Sequence, residues 1–113
     1  MNLQEVVSRL NLEVKSGFEV LTNEVNGGYV SDLLSDVMAN AQKGNIWVTL
    51  QIHQNIVAVA DLKELAGIIL VGARQPEEDT LQKAVQKKIP ILVSKMSAFE
   101  IVGKLYQFGI RYD

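Results

Sequence analysis

The segment from Thr49 to Asn55 is rich in uncharged hydrogen-bonding side chains. Thr49, Gln51, His53 and Asn55 alternate with Leu50 and Ile52, and alternate residues of an extended strand share one face. A face of hydroxyl, amide and imidazole groups offers donors and acceptors suited to a base, an amide or a sugar. The same pattern also describes a solvated strand end in which Asn55 caps a helix. Gly27-Gly28-Tyr29 is a second candidate. Paired glycines let the backbone come close to a bound group and adopt positive φ, and Tyr29 beside them could stack on a ligand. If Ser31 caps the next helix, the free N–H groups there could hold an anion. Equally, a glycine pair marks a bend or bulge in a strand. The candidate ligand-binding residues are therefore Gly27, Gly28, Tyr29, Thr49, Gln51, His53 and Asn55.

Catalytic chemistry is harder to assemble. His53 is the one histidine, and a catalytic histidine needs an orienting acid and an activated nucleophile within reach. Asp32, Asp36 and Asp61 are candidate acids, but no spacing pairs any of them with His53. One histidine, no cysteine and scattered carboxylates make no metal site, so neither a metal nor a cofactor is expected. Neither G-x-x-x-x-G-K-[ST] nor G-x-G-x-x-G occurs, and there is no G-x-S-x-G. Trp47, between Ile46 and Val48, reads as core or subunit contact, and Arg74 as a solvated loop residue.

Eleven Lys plus Arg against thirteen Asp plus Glu leave a formal charge of −2 over 113 residues. That argues against a nucleic-acid binder, which needs a concentrated basic face. With 48% apolar residues and two prolines the chain is globular, of single-domain size. No apolar run approaches the ~18 residues of a membrane span, and the N-terminus lacks a basic leader. The expectation is one cytoplasmic domain spanning 1–113, with no membrane or nucleic-acid partner.

The elements that must position the candidates follow from periodicity. Leu3, Val6, Val7 and Leu10 predict a helix that Asn2 and Glu5 open as a capping box. Leu12-Glu13-Val14 and Val25 to Tyr29 read as short strands. Leu33, Leu34, Val37, Met38 and Ala41 form a helical stripe that Gly44-Asn45 stops. Strands near Ile46–Leu50, Gly67–Val71 and Ile89–Val93 follow, separated by helices at Asn55–Leu65 and after Pro76. A last helix opens at Ser97 and ends at Gly109. Strands about two dozen residues apart with one helix between them are βα units, which build a parallel sheet through right-handed crossovers. The fold class is therefore α/β, a small three-layer α/β/α domain with a mainly parallel sheet. Such sheets bind ligands beyond the carboxyl ends of their strands.

Asn23-Glu24-Val25-Asn26-Gly27-Gly28-Tyr29-Val30-Ser31-Asp32, Gly44 to Thr49, Ala66 to Leu70 and Ile89-Pro90-Ile91 together resemble the DRTGG domain family, over essentially the whole chain. Glu24, Val25 and Asn26 stand where the name motif has Asp, Arg and Thr, so that the motif's arginine has no counterpart here. The family accompanies CBS domains in the regulatory insert of some pyrophosphatases, occurs in some phosphotransacetylases and is similar to the N-terminal domain of HPr kinase/phosphorylase. The resemblance implies a non-catalytic, dimerising regulatory module near an adenine-nucleotide site. A stand-alone form also resembles proteins encoded beside iron-only hydrogenase genes. The expected function is a ligand-sensing module, for an adenine nucleotide, acting as a homodimer. The alternative is a protein-interaction or scaffold domain whose partner is another polypeptide.

Overall fold

The computed structural model describes residues 1–112. Its first helix, α1 (Leu3–Leu10), opens with the expected capping box: the Asn2 side chain accepts from the Glu5 N–H, and the Glu5 carboxylate accepts from the Asn2 N–H. The chain continues through β1 (Glu13–Ser16), a 3-10 turn (Phe18–Val20), β2 (Gly27–Val30), α2 (Leu34–Asn40), β3 (Asn45–Thr49), α3 (Asn55–Leu62), β4 (Gly67–Leu70), α4 (Glu78–Lys87), β5 (Ile91–Val93) and α5 (Ala98–Gln107).

The five strands form one sheet in the order β1-β5-β4-β3-β2. β2, β3, β4 and β5 run parallel, and β1 is antiparallel to β5. Alternation along β3 divides the core. Ile46 and Val48 face the layer holding α1 and α5, packing with Leu3, Val6, Ile101 and Leu105. Trp47 points to the opposite layer, with Val37 of α2, Ile56 and Ala60 of α3 and Ala84 of α4. β3 and β4 are buried on both faces, which explains their unbroken apolar sequences. The three-layer α/β/α architecture is thus built, and among the described residues no helix is long and apolar enough to cross a membrane.

Several boundaries move for identifiable reasons. β2 starts at Gly27 because Val25 is engaged with the N-terminus, its N–H donating to the Met1 carbonyl. α3 stops at Leu62, ahead of Leu65, since Glu64 takes a left-handed conformation (φ 54°). β5 starts at Ile91: the Ile89 N–H closes the end of α4 on the Ala84 carbonyl, and Pro90 has no N–H to give. Pro76 stands just before the Glu77 cap and outside the first helical turn. Ser97 does cap α5, accepting from the Glu100 N–H. Ser31, by contrast, does not cap α2. Leu33 holds that position, and the Ser31 hydroxyl instead accepts from the Leu33 N–H.

Candidate functional site

β2 is the outer strand of the sheet, and its open side is met by the chain's own C-terminal segment. After α5, Gly109 (φ 90°) turns the backbone back, and the Arg111 carbonyl accepts a hydrogen bond from the Gly28 N–H at 3.2 Å. Gly27 makes this approach possible, because a Cβ there would overlap the Arg111 carbonyl oxygen. Neither Gly27 nor Gly28 has positive φ. The expectation that the pair bends the backbone is therefore corrected: both lie in a regular strand, and the group that comes close at Gly27 belongs to the protein itself.

A cavity of about 240 Å³ opens between this edge, α5 and the C-terminal segment. Gly28, Val30 and Val48 form its sheet side, Val102, Leu105 and Tyr106 its helix side, and Ile110, Arg111 and Tyr112 its outer side; Tyr29 borders it. The missing side chain of Gly28 helps to make the space. A Cβ added there would sit 3.5 Å from an Ile46 methyl and 3.6 Å from an Ile110 methyl, which is ordinary contact. The Arg111 guanidinium carbon lies 5.2 Å from the centre of the Tyr106 ring, a cation–π distance. Among the described residues Arg111 makes no ion pair. An apolar chamber with tyrosines and one cation at its boundary suits a flat or apolar body carrying an anionic group.

Tyr29 and Tyr112 have ring centroids 5.5 Å apart at 53°. The Tyr112 hydroxyl donates to the Asn40 carbonyl at 2.8 Å, tying the C-terminal segment to the end of α2. The Tyr29 hydroxyl is 2.9 Å from both Asp36 carboxylate oxygens, and the Asn40 amide donates to the same carboxylate at 2.9 Å. Polar contact with Ser31, then with Asn40 and Tyr29, holds the Asp36 carboxyl below the usual carboxylate range. The hydrogen bond to Asp36 raises the Tyr29 phenol above its ordinary value.

The polar residues beyond β3 do different work. Asp32 accepts from the Thr49 hydroxyl and from the Leu50 N–H, both at 2.7 Å, while the Gln51 amide donates to the Asp32 carbonyl at 2.9 Å. Thr49 is buried and Gln51 exposed. This clasp ends β3 and places a carboxylate in the loop before α2, where the sequence suggested an anion. His53 is exposed, and its Nδ1 accepts from the Asn55 N–H at 3.1 Å. Asn55 is the first residue of α3, so it does not cap that helix; it faces a broad cleft between α3 and α4.

The structure therefore brings Gly28 and Tyr29 to the cavity and leaves Thr49, Gln51, His53 and Asn55 outside its lining. Among the described residues no hydrogen bond or ion pair joins His53 to a carboxylate, since Asp32 and Asp36 are engaged as above and Asp61 pairs with Lys87 at 3.6 Å. No group of three His, Asp or Glu residues there could hold a metal. Trp47 is fully buried, its indole N–H donating to the Ser31 carbonyl at 2.8 Å, and Arg74 is exposed in its loop. Sequence reasoning missed the other cavity residues. The stripe Ile101-Val102-Leu105-Tyr106 was a visible signal for the helix side, but Ile110-Arg111-Tyr112 has no periodic signature.

No protein-family model matches the chain, and no curated protein matches it. Among solved structures, it is similar to the crystal structure of the CBS and DRTGG domains of the regulatory region of Clostridium perfringens pyrophosphatase, complexed with its activator diadenosine tetraphosphate. The TM-score is 0.73 at 14% identity, covering 90% of this chain and 44% of that chain. The present chain thus spans less than half the length of the solved one. The TM-score shows a shared fold, and at this identity the likeness shows the fold alone.

Proposed function

We propose that this protein is a non-catalytic regulatory module of the DRTGG type that senses an adenine nucleotide through the β2–α5 cavity and acts as a homodimer. The observation that carries this reading is the cavity itself: an apolar chamber of about 240 Å³ with tyrosines and Arg111 at its boundary. A purine would lie against Gly28, Val48 and Val102, and Arg111 would meet a phosphate. Among the described residues the lining is apolar apart from its tyrosines and Arg111, which suits binding of a flat, anionic ligand. The structural likeness to a pyrophosphatase regulatory region complexed with a dinucleotide activator supports the same direction.

Calorimetric titration with AMP, ATP and diadenosine tetraphosphate tests the proposal. Saturable binding of at least one is expected, and Gly28→Leu, which fills the chamber, should abolish it while the circular dichroism spectrum stays native. Absence of binding to the wild type, or undiminished binding to Gly28→Leu, refutes the assignment.

A further inference from the structure

The helices that follow the parallel strands do not all lie on one side of the sheet. α2, α3 and α4 pack on the face of Trp47, whereas α5 packs with α1 on the face of Ile46. The chain therefore leaves β4 and β5, which are neighbours, toward opposite faces, and a crevice opens between their carboxyl ends. Such a divergence is where open parallel sheets place ligands. A cavity of about 310 Å³ occupies it, bounded by the loops after β4 and β5, the end of α1 and the start of β1. It shares no lining residue with the β2–α5 chamber.

The two loops are tied together. The Gly72 N–H donates to the Met96 carbonyl at 2.8 Å, and the Ala73 N–H to the Ser94 carbonyl at 2.7 Å. The tie holds Ala73 at φ 60°, a conformation that the surrounding structure must enforce on a residue other than glycine. The crevice is thus shaped before anything enters it. Ser94, 3% exposed, lines it. Its Oγ accepts from the Met96 N–H at 3.0 Å, and among the described residues its own proton meets no acceptor, so a buried hydroxyl is free to donate. Lys95, also in the lining, makes no ion pair among the described residues. Glu13 enters the lining from β1, opposite Val93 in the strand pairing. Its carboxylate contacts are long, the Gln75 amide at 3.4 Å and the Lys15 ammonium at 3.8 Å. Opposite charges therefore line one cavity without pairing with each other.

We propose that this crevice is a second ligand site and that it takes a free α-amino acid. The Lys95 ammonium and the Ser94 hydroxyl meet the ligand carboxylate, Glu13 meets its ammonium group, and Leu10, Val93 and Met96 give an apolar wall to its side chain. Glu13 repels a plain anion and Lys95 a plain amine, so the lining favours a molecule that carries both charges. The site stands apart from the nucleotide reading of the other chamber and does not depend on it.

Amide chemical-shift titration of the full ¹⁵N-labelled chain with each of the common L-amino acids, up to about 10 mM, provides the test. At least one should give saturable shifts at Ala73, Ser94, Lys95 and Met96, leaving Gly28 and Arg111 unmoved. Its methyl ester and its N-acetyl derivative, each lacking one charge, should bind roughly tenfold or more weakly. Lys95→Met and Glu13→Gln should each weaken binding of the free amino acid to a similar degree, with native circular dichroism spectra because both side chains are exposed. Absence of saturable shifts with every amino acid, or shifts centred elsewhere, overturns the site. Undiminished binding to either variant, or acetate binding as tightly as the amino acid, overturns the amino-acid assignment.

Discussion

Two adjacent glycines should respond in opposite directions to the same substitution. At Gly27 a methyl group would overlap the Arg111 carbonyl, so Gly27→Ala must push the C-terminal segment off the sheet edge. That breaks the Gly28 N–H to Arg111 bond, worth about 1 kcal/mol net. It also loosens Ile110, which is buried and contributes up to about 2 kcal/mol by its burial. Alanine returns about 0.5–1 kcal/mol through its lower backbone entropy in a strand. The net expectation is a loss of about 2 kcal/mol, or a Tm lower by about 8 °C. At Gly28 the new methyl finds ordinary contacts with Ile46 and Ile110. Gly28→Ala should therefore stabilise by about 0.5–1 kcal/mol and raise Tm by about 2–4 °C. Urea denaturation followed by circular dichroism, with calorimetric melting of both variants, gives the two values. Equal effects at the two positions, or a Gly27→Ala variant as stable as the wild type, would refute the claim that the C-terminal segment seals the β2 edge.

Trp47→Phe removes the indole N–H from a fully buried site and leaves the Ser31 carbonyl without that donor. Urea unfolding should show a loss of about 2–4 kcal/mol. The Tyr29–Asp36 pair makes stability depend on pH at both extremes. Because the Asp36 carboxyl is held low in the folded state, its contribution is present above the ordinary carboxylate value and is lost as pH falls through the folded one. The Tyr29 phenol is raised, so its contribution is present below its unfolded value and is lost as pH rises through the folded one. Asp36→Asn should flatten the acid limb of a stability–pH profile relative to the wild type, and Tyr29→Phe the alkaline limb; unchanged profiles would contradict the hydrogen-bond geometry.

The layered sheet was legible because its signals are local. Ile68-Ile69-Leu70 and Ile91-Leu92-Val93 are uniformly apolar, which fits strands covered on both faces, and Asn2, Glu5 and Ser97 announce helix starts by chemistry that holds in most contexts. Of the candidate residues, Gly28 and Tyr29 reach the cavity, and glycine beside an aromatic at a strand edge is visible in one dimension. The polar alternation from Thr49 to Asn55 continues in the sequence past the point where the strand stops. Asp32, seventeen residues before Thr49, takes the Thr49 hydroxyl and the Leu50 N–H, and no local pattern foretells that clasp. The outer side of the cavity was hidden for a similar reason. Ile110, Arg111 and Tyr112 belong to no helix or strand, and their position is set by bonds to Gly28 and Asn40, which are far from them in sequence.

The account depends most on the β2–α5 chamber being where a ligand binds. The most direct measurement is an amide chemical-shift titration of the uniformly ¹⁵N-labelled protein with ATP and with diadenosine tetraphosphate. Saturable shifts concentrated at Gly28, Val30, Val102, Tyr106, Ile110 and Arg111 are the predicted result. Saturable shifts centred on Gln51, His53 and Asn55, or a spectrum unmoved by either nucleotide, would contradict it.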